Sequence, residues 1–180
     1  MFKDYLNHGK QIFQLIKNAK TPKHEKWQSE SMDEIDVELT DGNVGWALGA
    51  DDVVLDIDPR NGGKESYTRL CEDLGIKLTP TVYTAGGGFH VYMTLPEHMI
   101  GAKFKKEQEQ YRGIDFLTHG RYVVVEGSVV NGKHYRWAGD GFVQSQIPVE
   151  LADYYRKLSV EEAEAELEEL GDLGQFVAGS

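Results

Sequence analysis

Apolar side chains fall along this chain with two periods, one near the helical value of about 3.6 residues and one near the strand value of about 2. In residues 2–19, Tyr5, Ile12, Ile16 and Ala19 stand close to helical spacing and predict an amphipathic helix. A polar stretch with Pro22 and Trp27 follows, and residues 33–39 fit a short helix or a loop. From residue 43 the pattern turns to strands. NVGWALG (43–49) and VVLDID (53–58) read as neighbouring strands around a turn at residues 50–52. PRNGG (59–63) is a turn, and KESYTRLCEDLG (64–75) is a helix whose Gly75 suits the C-terminal cap. TVYTA (81–85), three glycines and FHVYMTL (89–95) predict a β-hairpin closed by Pro96.

A charged connector (97–110) leads to a second strand pair, YRGIDFL (111–117) and RYVVVEG (121–127), and Asn131-Gly132 is a two-residue hairpin turn. Pro148 precedes a helical pattern at 149–158. The tail continues as a Glu-rich helix with Val160, Ala163, Leu167 and Leu170 along one stripe, which predicts packing on the domain or a lead into a further one. The plan is α+β, a mostly antiparallel sheet with helices on one face.

Composition narrows the class. The chain has 180 residues, 40% of them hydrophobic, which suits one compact unit over residues 1–158 followed by an acidic helix or tail at 159–180. No apolar run approaches the ~20 residues that span a bilayer, and the start lacks a signal peptide's apolar region. Cys71 is the only cysteine, so an internal disulfide is excluded and a reducing, cytoplasmic setting is expected. Thirty acids against nineteen bases give a net charge of −11, which argues against a nucleic-acid partner. The last 22 residues carry seven of those acids and no base, which leaves nineteen bases against twenty-three acids, or −4, over residues 1–158. The objection is therefore mild.

Three constellations carry chemistry. Strand alternation puts Val53, Leu55 and Ile57 on one face and Asp56 and Asp58 on the other, with Cα atoms ~6.5–7 Å apart. Carboxylates so spaced can converge on two divalent ions ~3.5–4 Å apart. Asn61-Gly62-Gly63-Lys64 follows at a strand-to-helix turn, where backbone N–H groups can approach an anion. In the second, Gly86, Gly87 and Gly88 precede a strand on which His90 and Tyr92 share a face, so His90 can donate to a phosphate oxygen near an open backbone. In the third, Asp115 stands between Ile114 and Phe116 and points away from the core. As a third carboxylate it completes the oxygen-rich shell that Mg²⁺ or Mn²⁺ prefers. Lys64, Arg112 and Arg121 are the nearest fixed cations.

Together these motifs resemble the archaeo-eukaryotic primase superfamily, and most closely the primase–polymerase (prim-pol) domain of phage and plasmid replication proteins. The resemblance covers about residues 20–137. It runs from Pro22-Lys23 and Lys26-Trp27 through Asn43-Val44-Gly45, Asp56-Ile57-Asp58 with Gly62-Gly63, and Thr84 to His90. Gly113-Ile114-Asp115, Arg121 to Val125, Gly127-Ser128, Tyr135 and Trp137 complete it. It implies an RRM-like catalytic sheet joined to a small N-terminal α/β module, with the active site in the cleft between them. Asp56, Asp58 and Asp115 would hold two catalytic Mg²⁺ or Mn²⁺ ions. His90 would contact the incoming nucleotide's phosphates, with Gly62, Gly63, Lys64, Gly87, Gly88 and Arg121 as further nucleotide-binding positions. This chain has Gly86 where the family often has Ser and Phe89 where it often has a base, which leaves Arg121 as the candidate replacement cation. It also has Arg121 and Glu126 where Gly and Pro are common.

The activity so implied is template-dependent nucleotidyl transfer on single-stranded DNA, with dNTPs or NTPs as substrates and a helicase domain or protein as a further partner. No membrane is involved. Tyr83, Tyr92, Tyr111 and Tyr122 are equal candidates to guard the ribose. Two other classes fit the same side chains: a metal-dependent nuclease or phosphodiesterase, and a non-catalytic RRM-like nucleic-acid-binding module. The latter expects bases and aromatics where this sheet has acids.

Overall fold

The structure, a computed structural model, describes residues 2–158 and 160–178, with side chains as far as residue 171. The chain begins with α1 (Lys3–Asn7), β1 (Gln11–Leu15), α2 (Glu34–Leu39), β2 (Asn43–Ala47) and β3 (Asp52–Ile57). There follow α3 (Gly63–Leu74), β4 (Val82–Tyr83), β5 (Phe89–Thr94), β6 (Ile114–Leu117) and β7 (Tyr122–Val124). Short strands β8 (Val129–Val130), β9 (Lys133–His134), β10 (Arg136–Trp137) and β11 (Ser145–Gln146) lead to α4 (Val149–Tyr155) and α5 (Val160–Ala178). The class is α+β, as the pattern predicts.

Two sheets organise the chain. The main sheet has the order β10-β4-β5-β3-β6, with β11 parallel to β5, and the smaller sheet has the order β1-β2-β7. All other pairings within them are antiparallel. Alternation along β3 explains how the main sheet is covered on both faces. Val53, Leu55 and Ile57 pack with Val91, Met93 and Phe116 against Leu70 of α3 and Leu151 and Tyr155 of α4. On the opposite face, Val54, Val82, Tyr92 and Leu117 meet Trp46, Val124 and the other apolar residues of the smaller sheet, together with Tyr5 of α1. The buried hydroxyls of Tyr5 and Tyr92 are 2.7 Å apart, and Tyr5 Oη accepts from the amide of Glu126 at 3.1 Å, so these two hydroxyls are satisfied within the core, whereas the buried indole N–H of Trp46 has no partner.

Three expectations need correction. The helix read over residues 2–19 stops at Asn7, and residues 11–15 are a strand paired with β2. Ile12, Phe13 and Leu15 are all buried, so this strand is covered on both faces, and its apolar run imitates helical spacing while Ile16 lies exposed. The segments at 43–49 and 53–58 are not partners: β2 belongs to the smaller sheet and β3 to the main one. The same holds for the pair at 111–117 and 121–127, since β6 and β7 lie in different sheets. The chain crosses between sheets at both loops, which local patterning cannot register.

The ambiguous segment at 33–39 is helical because Asp33 and Asp36 form a capping box, each side chain accepting from the other's backbone N–H at 2.8 and 3.0 Å. The hairpins at residues 82–94 and 129–134 form as predicted. In α5, Val160, Leu167 and Leu170 are 65–75% exposed, so the expected stripe does not pack on the domain. Arg156 is tied to Glu162 at 3.3 Å near the start of this helix.

Candidate active site

The covering sheet ends short of the last residues of β3, and there the alternation that buries Val54 presents Asp56 to a cleft. Register does the rest. Asp56 is opposite His90 on β5 and opposite Asp115 on β6, so the three side chains form a row across adjacent strands. Directly opposed residues carry Cβ atoms ~4.5–5.5 Å apart. Neighbours alternate as predicted: Ile114 and Phe116 join the helix-side core with Phe89 and Val91, and Asp115 and His90 face the other way.

His90 is buried, and its Nε2 lies 3.4 Å from Asp56 Oδ1, within ion-pair range but longer than a formed hydrogen bond. Its Nδ1 is buried without a partner. On the other side, Lys106 Nζ is 3.9 Å from Asp115 Oδ2. Lys106 comes from the charged connector, pinned beside β6 where its carbonyl accepts from the Phe116 amide at 2.6 Å.

The two aspartates differ electrostatically. Burial opposes ionisation of Asp56, but the facing His90, with Lys20 and Lys106 nearby, outweighs it and leaves this carboxyl below the usual range. Burial pushes Asp115 up, Lys106 works against that, and the charges of Asp56, Glu107 and Asp58 add to the rise, so the net direction is upward. Two carboxylates that repel each other at the mouth of a cleft form a site suited to a cation, and their hard oxygen donors match Mg²⁺ or Mn²⁺.

Asp58 behaves differently from the expectation. It lies one residue past β3, and its carboxylate turns back to accept from the Arg60 amide at 2.9 Å, Arg60 Nε at 3.2 Å and Asn61 Nδ2 at 3.1 Å. These bonds, led by the Arg60 side chain, hold its carboxyl below the usual range. Among the described residues, no group of three or more acidic, His or Cys side chains is drawn together tightly enough to hold a metal ion. Asp58 nonetheless borders both the cleft that contains Asp56 and His90 and a neighbouring groove of about 730 Å³ that contains Asp115, Glu107 and Arg112.

The cleft itself, about 240 Å³, lies between the sheets. Asp56 and His90 form one wall, Tyr122 and Val124 of β7 another, and Lys20, Arg60 and Tyr135 reach its rim. Of the four tyrosines proposed to guard a ribose, only Tyr122 lines this cleft. Tyr92 is buried against Tyr5, Tyr111 donates to Asp73 at 2.5 Å, and Tyr83 opens on the far side of the glycine turn.

The nominated glycines divide by role. A Cβ on Gly88 would stand 1.9 Å from the Ile57 carbonyl oxygen, so this glycine lets the turn press against the end of β3. The amides of Gly87 and Gly88 both donate to Thr84, at 3.1 Å each, and close the turn on itself. Gly86 has open space and lines the cleft. Gly63 seals the seam between β3 and β6: its amide donates to the Asp58 carbonyl at 2.9 Å, and a Cβ there would meet Gly113 O at 2.6 Å. Gly62 sits in the same turn with open space beside it.

Lys64 lies beyond the glycine turn, and Arg121, one residue before β7, lines a separate groove with Lys103, His119 and Lys157. The structure therefore does not bring Arg121 to His90. Lys20 and Arg60 are the cations at the cleft. Lys20 gave no signal in the sequence, being 36 positions from Asp56, whereas Arg60, two residues past Asp58, was readable as its partner.

The fold is α+β, with a histidine and two aspartates aligned across three strands of the main sheet. Residues 3–153 match the family model of the bifunctional DNA primase/polymerase N-terminal (Prim-Pol) domain, and the chain belongs to that family. DNA and nucleotides are the substrates this membership implies. A comparison with curated proteins gives no match. None of the described helices is long and apolar enough to cross a membrane.

Proposed function

We propose that the cleft carries out template-directed nucleotidyl transfer, adding dNTPs or NTPs to a strand on a single-stranded DNA template. The observation that supports this reading most is the row His90–Asp56–Asp115 across three antiparallel strands. Asp56 and Asp115 would hold Mg²⁺ or Mn²⁺, joined by Asp58 on release from Arg60. Bound as a pair, such ions acidify a 3′-hydroxyl and stabilise the departing pyrophosphate. The rest falls to the chain's own side chains. His90 fixes the Asp56 carboxylate from behind. Lys20, and Arg60 once free of Asp58, place positive charge at the rim where a polyphosphate lies. Gly86 lets that polyphosphate approach the backbone, and Tyr122 forms the wall against which the sugar packs. Positioning and electrostatics then supply most of the acceleration.

The experiment is extension of a labelled primer on single-stranded DNA with Mg²⁺ or Mn²⁺ and each nucleotide set. Elongation by the natural chain and its loss, by about 10²-fold or more, in Asp56→Asn and Asp115→Asn is the expected result. Shortening of the primer without nucleotides would instead identify a nuclease, and extension by the double variant would end the assignment.

A further inference from the structure

Across the glycine turn from the cleft lies a second groove, about 750 Å³, on the opposite face of the main sheet's edge. Register explains its position. On β4, Val82 pairs with His90 and joins the inter-sheet core, so Tyr83, paired with Phe89, points to the other face. Thr84 borders both the cleft and this groove. The groove is basic in an acidic chain. Lys64 from the start of α3, Lys133 and His134 from β9, and Arg136 from β10 line it, and no acidic side chain among the described residues does.

An aromatic lies among these cations. Tyr83 is 40% exposed, and the Arg136 guanidinium sits 5.4 Å from its ring centroid, the two residues being register partners on β4 and β10. Three fixed cations and a half-open ring suit a flexible polyanion with flat bases: charge tracks the backbone and the ring takes a base. A nucleoside triphosphate fits less well, since the Gly87 and Gly88 amides are closed onto Thr84.

We propose that this groove binds the sugar–phosphate backbone of a single nucleic-acid strand, with a base stacked on Tyr83, and delivers it past Thr84 to the cleft. The inference rests on the reading of the cleft as a template-directed active site. The groove gives that site its strand-binding surface.

The test is fluorescence anisotropy of a labelled oligothymidylate of about twenty nucleotides over a salt series, on the full chain and its variants. Lys133→Glu/Arg136→Glu is expected to weaken binding roughly ten-fold or more, and to flatten the plot of log affinity against log salt by about 0.7 per lost phosphate contact. Tyr83→Ala is expected to weaken binding about five-fold or more with the slope unchanged. Circular dichroism melts like those of the natural chain establish that each variant is folded. Unchanged affinity and slope in the charge-reversed variant would overturn the proposal, as would loss of nucleotide binding with oligonucleotide binding intact. Asp56→Asn/Asp115→Asn separates the two claims. If it binds the strand but does not extend a primer, both stand. If it still extends while the groove variants lose the strand, the groove stands and the reading of the cleft falls.

Discussion

Lys10 and Asp52 close a salt bridge at 2.8 Å, with their side chains only 14% and 4% exposed. Asp52 opens β3 of the main sheet, and Lys10 stands just before β1 of the smaller one, so the pair ties the sheets whose cleft holds Asp56. Asp52 also accepts from the Gly49 amide at 2.7 Å and from Gln144 Nε2 at 2.9 Å, while the ammonium lies 5.4 Å from the Trp46 ring centroid. Removing one partner of a buried pair leaves the other uncompensated, at a cost of about 3–5 kcal/mol. Asp52→Ala should therefore lose about 3 kcal/mol or more in urea unfolding. Lys10→Met should lose less, because Asp52 keeps two N–H donors. Equal losses would show that the carboxylate has no organising role beyond the pair.

The glycine turn gives a graded expectation. Gly88→Ala forces a methyl group into the Ile57 carbonyl, so β3 must shift at the residue after Asp56 and both stability and activity should fall. Gly87 has φ +85°, where an L side chain is strained, and Gly87→Ala should cost about 1 kcal/mol. Gly86→Ala meets nothing within 4 Å and should melt like the natural chain. Because Gly86 lines the cleft, the same variant should raise KM for nucleotide while leaving the melting temperature unchanged. A normal KM would show that no ligand comes close to this backbone.

Much of this site was legible because strand alternation is local. The faces assigned to Asp56, His90 and Asp115 hold, since each stands within a paired strand. Asp58 borders the same cleft as Asp56, but its carboxylate turns to Arg60 and Asn61 because β3 ends at Ile57, where the period of two stops and the turn's own hydrogen bonds take over. The two hairpins were legible from their turns, but which of the other strands pair was not. β2 and β3 adjoin in sequence yet belong to different sheets, and that choice depends on long-range packing of Trp46 and Val54 between the layers. Arg121 was the candidate replacement for the cation that the family often has beside His90, and the change of sheet between β6 and β7 carries it away from His90.

Glu126 offers a pH test away from the acidic row. Its Oε2 is buried without a hydrogen-bond partner, and burial raises its carboxyl above the ordinary range. A group that binds its proton more tightly when folded stabilises the fold below its unfolded pKa, and that contribution is lost as pH rises through the folded value. Glu126→Gln should therefore match the natural chain in acid, near pH 3–4, and melt about 1–2 °C higher at neutral pH. A difference independent of pH would trace the effect to packing.

The facing carboxylates of Asp56 and Asp115 predict how divalent ions act on stability. Without an ion the two repel, and Lys106, 3.9 Å away and half-exposed, offsets little, because such a pair is worth ~0–1 kcal/mol. Asp115→Asn removes the repulsion and should raise the melting temperature by about 1–3 °C in the presence of chelator. An ion that binds only the folded chain at about 100 times its Kd adds ~2.7 kcal/mol, or about 5–10 °C for a chain of this size. Mn²⁺ should therefore raise the melting temperature of the natural chain by that order and have little effect on Asp115→Asn, reversing their ranking. Asp58→Asn should reduce the Mn²⁺ shift only if its carboxylate leaves Arg60 to join the ion, so its shift measures that rearrangement directly. If Mn²⁺ stabilised the natural chain and Asp115→Asn to the same extent, the ion would be bound elsewhere and the row His90–Asp56–Asp115 would have no part in holding it.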